Sequence, residues 1–422
     1  MKARKGDNVV LYFAAILFLF VMAVHAARAD DLNATGNTQE RTAADSPALS
    51  APSEAVAPGQ SVRDDALNAP QESPAPATPS SAPKWYDSVR IGGFVDTYYA
   101  GNTNRPQSHD NFIPETGTTA KRANEFGLNL AALELVSDPK PVGFHLVLVA
   151  GNGAEIVHAS EPGSSSTGPS VFRNIYQASV SYTVAVGHGL LLEAGIFPSH
   201  IGFEGFYSKD NWNYTRSWLG ELSPYYQTGV HAGYHFNEHW SGELHLLNGW
   251  QIIGDNNDAK AIGGKIAYSD DRLSTSFNTF DGPELPNDNA HWRHFGDLIV
   301  LYKTTPSLTI GGSLDRGHQE LPGQAAANWL GIAGYGRYTL GQRRALAVRV
   351  ERFSDPDNGI SGTSQKLTEA TLTYEYRPVE NLILKVEGRR DHSTALVFDR
   401  GVSGESKNQT IVVIGAVVTF GG

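Results

Sequence analysis

The strongest constraint on this chain is a recurring segment of about ten residues in which apolar residues alternate with charged or small ones. Leu382, Leu384, Val386 and Gly388 take one face of such a segment, while Ile383, Lys385, Glu387, Arg389 and Asp391 take the other. Ala370, Leu372, Tyr374 and Tyr376 likewise oppose Glu369, Thr371, Thr373 and Glu375, and Leu346, Val348 and Val350 oppose Ala347, Arg349 and Glu351. A strand patterned in this way stands between an apolar and a polar environment. Few globular cores tolerate so many charges at alternate positions.

Sixteen such segments begin near Val89, Glu125, Val142, Asn174, Leu190, Tyr226, Trp240, Ala261, Leu273, Trp292, Leu308, Trp329, Ala345, Leu367, Leu382 and Gln409. Their connections alternate: short ones such as Val186–Gly189 and Gly341–Arg344, long ones such as Gly101–Asn124 and Pro198–Tyr225. This pattern predicts an all-β fold, a transmembrane antiparallel β-barrel of about 16 strands with short periplasmic turns and long extracellular loops. Hydrocarbon offers no partner to a backbone N–H or C=O, so the sheet must close, with Gln409–Phe420 antiparallel to Val89–Tyr99. About sixteen staves leave an aqueous bore. A bulge is expected where Ala131-Ala132 interrupts the alternation.

Aromatics recur at the short-turn ends: Tyr182, Tyr234, Phe236, Trp240, Tyr268, Tyr302, Tyr338, Tyr374, Tyr376 and Phe420. They predict a girdle at one membrane interface, and Tyr99, Tyr176, Tyr226, Trp250, Trp292 and Trp329 predict its counterpart at the other.

Composition agrees. Charged residues make up 18% of the 422, below the roughly 25% of soluble domains, and there are 44 Gly. The absence of Cys excludes a disulfide framework, a thiolate metal site and a lipidated N-terminal Cys. Lys2, Arg4 and Lys5 ahead of the apolar run Val9–Val24, then Ala27-Arg28-Ala29, predict a signal peptide over residues 1–29. Residues 30–84, rich in Pro, Ala and Ser and without an aromatic, predict a disordered periplasmic segment, and residues 85–422 the barrel. Loss of the leader makes a chain of formal charge −11 more acidic still, which argues against a nucleic-acid partner.

Strand parity then gathers candidate pore-lining residues: Asp96, Glu193, Glu243, His245, Lys265, Asp297, Lys303, Asp315, Arg337, Arg349, Glu351, Glu375, Lys385, Glu387 and Arg389. Arg90, Gln227, His231, Asn278, Glu369 and Asp391 share that face. Structural ion pairing is the first expectation for most of them, a transverse field on passing solutes the second. Acid slightly outweighs base, which implies a weak cation preference.

The connection Pro198–Tyr225 carries six aromatics between Phe203 and Trp218, interleaved with charges. It is expected to fold into the bore as a constriction loop through Phe203, Glu204, Phe206, Tyr207, Lys209, Asp210, Trp212, Arg216 and Trp218. A loop over the barrel mouth or against a neighbouring subunit is the alternative. His231 and His235 stand four residues apart, about 13 Å along a strand, too far for one ion, so no metal site is expected. His200 with Glu204, or His392 with Asp391 and Ser393, fixes no nucleophile–base pair, so neither catalysis nor a cofactor is expected.

The phrases Ala194-Gly195-Ile196-Phe197-Pro198, Ile201-Gly202-Phe203-Glu204, Asn213-Tyr214-Thr215-Arg216-Ser217, Thr228-Gly229-Val230 and Asn248-Gly249-Trp250 resemble the OmpL-like family of β-barrel outer-membrane porins. The resemblance runs from about Ile91 to Phe420 and implies passive diffusion of small hydrophilic solutes across the Gram-negative outer membrane, with no catalytic residues to transfer. The chain departs from the pattern in ending Phe420-Gly421-Gly422 and in its long Pro-rich segment. The partners so implied are outer-membrane lipid, small polar solutes and the outer-membrane assembly machinery, with homo-oligomers left open. The residues also leave open a non-conducting barrel that serves as adhesin or structural anchor.

Overall fold

A computed structural model describes residues 88–159, 161 and 172–421. The leader and the Pro-rich segment expected over residues 1–84 lie outside them.

The strands are β1 (Arg90–Asn102), β2 (Phe126–Ser137), β3 (Val142–Ala150), β4 (Ile175–Val184), β5 (Leu190–Pro198), β6 (Tyr226–His235), β7 (Trp240–Leu247) and β8 (Ala261–Ser269). They continue as β9 (Leu273–Pro283), β10 (Trp292–Lys303), β11 (Leu308–Gln319), β12 (Ala327–Thr339), β13 (Arg344–Asp355), β14 (Gln365–Val379) and β15 (Leu382–Ser393). A small hairpin, β16 (Phe398–Asp399) with β17 (Glu405–Ser406), interrupts the last long connection before β18 (Asn408–Gly421). Setting that hairpin aside, sixteen strands form one closed sheet in which each pairs with its chain neighbours. Closure comes from β1 lying antiparallel to β18, from Gly92 opposite Gly421 to Asn102 opposite Ile411.

The burial pattern is that of a globular protein turned inside out. On β14, Leu372 is 55% exposed while its neighbour Thr373 is fully covered. On β18, Val412, Ile414 and Val418 face outward, and Ile411, Val413 and Val417 face in. With no backbone edge left and an apolar exterior, this sheet satisfies the two demands of a bilayer.

The short turns hold their geometry through local side-chain acceptors. Asp270 accepts the N–H groups of Arg272 (2.8 Å) and Leu273 (2.7 Å), and Asn237 accepts those of His239 and Trp240 (both 2.9 Å).

Two sequence expectations are corrected. The bulge in β2 sits not at Ala131-Ala132 but at Asn129: the register with β1 shifts between Asp96 and Thr97, which face Leu130 and Leu128. The extra residue turns its amide inward to donate to Asp96 Oδ2 at 2.8 Å, which fixes the position. At the long-connection end, Tyr176, Tyr226, Trp250 and Trp329 are buried, not arrayed at the lipid interface. The long connections fold over and into the mouth there: Tyr176 stacks on Phe206, Tyr226 on His158, and Trp250 packs on Phe280 and Phe295. At the opposite end Tyr182, Trp240, Tyr302, Tyr338, Tyr374 and Phe420 are all exposed.

Candidate functional site

After Pro198 the chain turns into the barrel, and the N–H of Ser199 donating to the Tyr225 carbonyl at 3.0 Å closes the neck of the inserted loop. An irregular backbone in an enclosed bore has peptide groups that neither a ladder nor bulk water satisfies. The inward-facing charges of the wall satisfy them. Glu387 on β15 accepts the N–H groups of Tyr214 (2.6 Å) and Thr215 (3.0 Å). Glu351 on β13 accepts those of Trp218 (2.6 Å) and Leu219 (3.3 Å), and Asp297 on β10 accepts that of Gly202 (2.9 Å).

The cations take the carbonyls. Lys385 Nζ donates to Ser208 O (2.8 Å) and Asn211 O (2.6 Å), Arg349 to Thr215 O (2.7 Å), and Arg389 to Arg216 O. Arg349 also pairs with Glu204 (2.7 Å) and Glu369 (3.0 Å), while Arg389 pairs with Asp391 (2.8 Å) and lies over the rings of Phe112 and Trp218. Asp96 on β1 accepts from Tyr214 Oη (2.7 Å) and Ser208 Oγ (2.6 Å). Close approach of Tyr214 depends on Gly415 of β18, where a Cβ would lie 2.3 Å from the ring.

The loop is also braced from within. The single-turn helix α1 (Trp218–Glu221) is capped by Ser217, whose hydroxyl accepts from Gly220 N–H and donates to Glu204. Arg216 is fully buried, donates to Gly205 O at 2.6 Å and lies over the Tyr225 ring. The first long connection clamps the helix, since the N–H groups of Gly117 (2.9 Å) and Thr118 (3.2 Å) donate to the Glu221 carboxylate.

Each nominated loop residue therefore lies within the barrel. Glu204, Phe206, Arg216 and Trp218 are buried in this scaffold, whereas Phe203, Tyr207, Lys209, Asp210 and Trp212 keep solvent contact. Of the nominated wall residues, Asp96, His245, Asp297, Asp315, Arg349, Glu351, Glu375, Lys385, Glu387 and Arg389 are inward but sealed. Glu193, Glu243, Lys265, Lys303 and Arg337 retain solvent access. The physical reason is the loop itself, which covers the β13–β15, β18 and β1 side and also meets His245 of β7, Asp297 of β10 and Asp315 of β11 through His200, Gly202 and Ser223. Asn213, Tyr214, Thr215 and Ser217 enter the sequence reading only through the phrase that carries the family resemblance, because their part is played by backbone groups, an amide and hydroxyls that periodicity does not register.

Across β5–β7 the register brings Glu193 opposite His231 and His231 opposite His245. The two imidazoles stack with centroids 4.9 Å apart, and His200 from the loop stacks on His245 at 4.1 Å. His200 bonds to Gln227 and the Thr279 carbonyl, both at 2.9 Å. Glu204 engages Arg349 instead, and His392 faces outward while Ser393 bonds inward to Gln365, so neither pair raised from sequence forms a nucleophile–base couple. His231, Glu243 and His245 are the residues, among those described, whose donor atoms are grouped closely enough for a metal ion. Along-strand spacing hides this group, which is made by pairing across strands.

On the long-connection side of the loop a cavity of about 640 Å³ opens among Thr116, Glu221, Ser223, Trp250, Gln251, Glu284 and Arg293.

Comparison with known proteins places this geometry. The sequence profile described as "Putative beta-barrel porin-2, OmpL-like" matches residues 88–420. No curated protein sequence matches the chain. Among solved structures, the chain is similar in fold to an anion-selective porin from Comamonas acidovorans, at 13% identity and TM-score 0.51, over 79% of this chain and 99% of that one. The outer membrane channel DcaP of Acinetobacter baumannii (12% identity, TM-score 0.51) and Salmonella typhi OmpF in complex with daunomycin (10%, 0.53) are each covered over 97% of their length by 79% of this chain. The matched region is the whole described barrel, and the chain accordingly belongs to the OmpL-like family of β-barrel porins of the Gram-negative outer membrane.

Proposed function

We propose that small hydrophilic solutes cross this porin passively along the side of the bore that the inserted loop leaves uncovered. The carrying observation is the division of the lumen charges. Those on β13–β15, together with Asp297 on β10 and Asp315 on β11, lie beneath the loop, while Glu193, Glu243, Lys265, Lys303 and Arg337, on β5, β7, β8, β10 and β12, remain wetted. The loop contributes Lys209 and Asp210, paired at 2.8 Å, and the partly exposed rings of Phe203, Tyr207 and Trp212. The loop is thus a constriction, and the opposite wall supplies the polar surface that replaces part of a solute's hydration.

The charge available to a solute differs from the total. Among the nominated residues that keep solvent contact, Glu193, Glu243 and Asp210 stand against Lys209, Lys265, Lys303 and Arg337, because the surplus acid lies beneath the loop. The channel therefore has no marked preference between cations and anions, in contrast to the weak cation preference expected from the composition of the whole wall. Insertion by the assembly machinery belongs to this proposal, on the ground that an apolar closed sheet cannot remain in water.

The test is conductance in planar bilayers under a salt gradient, with the full loop and with residues 203–218 replaced by a short Gly/Ser linker. Discrete steps with a reversal potential near zero are expected, and larger steps without the loop. Silence from correctly folded protein would favour the adhesin or anchor reading, and unchanged step size would remove the constriction.

A further inference from the structure

We propose that His231, His245 and Glu243 form a binding site for one borderline divalent transition-metal ion, Zn²⁺ or Ni²⁺, on the β6–β7 wall of the lumen. His231 and His245 face each other in register, and Glu243 lies two residues before His245 on the same inward face of β7. One donor atom from each residue falls within 4.8 Å of the others. Donors on a tetrahedral ion with bonds near 2.0–2.1 Å stand roughly 3.3 Å apart, so rotations about the side-chain torsions close the set without moving a strand.

The contacts already present are those an ion replaces or uses. Glu243 Oε2 stands 3.1 Å from His245 Nε2, and its other oxygen, Oε1, is 3.4 Å from Lys265 Nζ, which holds the carboxylate in place. Glu193 Oε2 lies 3.0 Å from His231 Nε2 and supplies the second carboxylate that orients a ligating imidazole. Nδ1 of both His231 and His245 is buried without a hydrogen-bond partner, and the His245 side chain is only 2% exposed, so these rings are not fully committed to their present neighbours. Glu243, at 28% exposure, is the point of entry from the lumen. Two imidazoles and one carboxylate select zinc or nickel over magnesium, which prefers an all-oxygen octahedron.

The site is tested on the folded, detergent-solubilised full chain, so the result does not depend on conduction. Isothermal titration with ZnCl₂ is expected to show one micromolar-range site that MgCl₂ does not fill. The double variant His231→Gln/His245→Gln and the single variant Glu243→Gln are each expected to weaken it at least tenfold, with folding checked by circular dichroism and heat-modifiable electrophoretic mobility. Equal binding by the folded double variant, or none by the native chain, overturns the proposal. Should the variants fail to fold, X-ray absorption on the zinc-loaded native chain decides: imidazole nitrogens in the inner shell support the site, and an all-oxygen shell overturns it.

Discussion

Arg349 on β13 and Glu204 in the inserted loop are 145 residues apart in sequence and meet at 2.7 Å, with the guanidinium fully buried and the carboxylate all but so. The same guanidinium reaches Glu369 at 3.0 Å and the Thr215 carbonyl at 2.7 Å, so one side chain ties two strands to two points of the loop. Removing one member of such a group leaves opposite charges buried and unmatched. Arg349→Ala is expected to destabilise the loop by about 3 kcal/mol or more, read as rapid amide exchange over residues 204–219 and as larger, noisier conductance steps. Native-like exchange in the variant would show that the ion pair does not hold the loop.

Gly415 makes the same point by sterics. A Cβ at that position would sit 2.3 Å from the Tyr214 ring, whose hydroxyl donates to Asp96 at 2.7 Å. Gly415→Val is expected to lever Tyr214 off Asp96 while leaving the outward surface of β18 unaltered. Proteolysis from the lumen side checks it: the variant should be cut within residues 207–216 under conditions that spare the native chain.

The pH response of the extracellular mouth has a defined sign. Burial raises the Glu284 carboxyl from its ordinary 4.5 to about 7, with nearby Asp255 in the same direction, against the opposing pull of Arg293 and the Trp250 N–H. The folded connection thus holds a proton more tightly than the unfolded one does. Its contribution to stability is fully present below about pH 4.5 and is lost as pH rises through about 7. Amide exchange over residues 250–254 should accelerate between pH 5 and 8 beyond its intrinsic rate, and Glu284→Gln should abolish that excess.

Membrane depth separates the tryptophans. Trp240 is exposed at the short-turn end beside Tyr268, whereas Trp218, Trp250 and Trp329 are buried inside the mouth and loop. In single-tryptophan variants reconstituted in brominated lipid, Trp240 is expected to be strongly quenched and the other three little affected. Strong quenching of Trp329 would place that ring on the lipid side and contradict its inward parity on β12.

Much of this was legible in the residues alone, for a local reason. Side chains on a strand alternate between faces, so a period-two pattern with apolar residues on one face specifies which side meets lipid, where each strand begins and that the sheet must close. Asp297, Arg349 and Glu387 were assigned inward on that ground, and their strands place them there. The periplasmic girdle was legible in the same way, because Tyr302, Tyr338 and Tyr374 sit at strand ends whose parity is fixed.

What only the tertiary structure decided was the use of those inward charges. Whether Lys385 meets water or the carbonyls of Ser208 and Asn211 depends on where an irregular 27-residue connection, Ser199–Tyr225, finds partners for its peptide groups, and no periodicity encodes that path. The fate of Trp329 at the mouth and the meeting of His231 with His245 are equally non-local, since each is settled by a neighbour that closure or loop folding brings from elsewhere in the chain. Sequence determined the wall and its two faces because alternation is a property of one strand. Structure determined which part of the wall is wet because covering a charge requires a second segment to arrive.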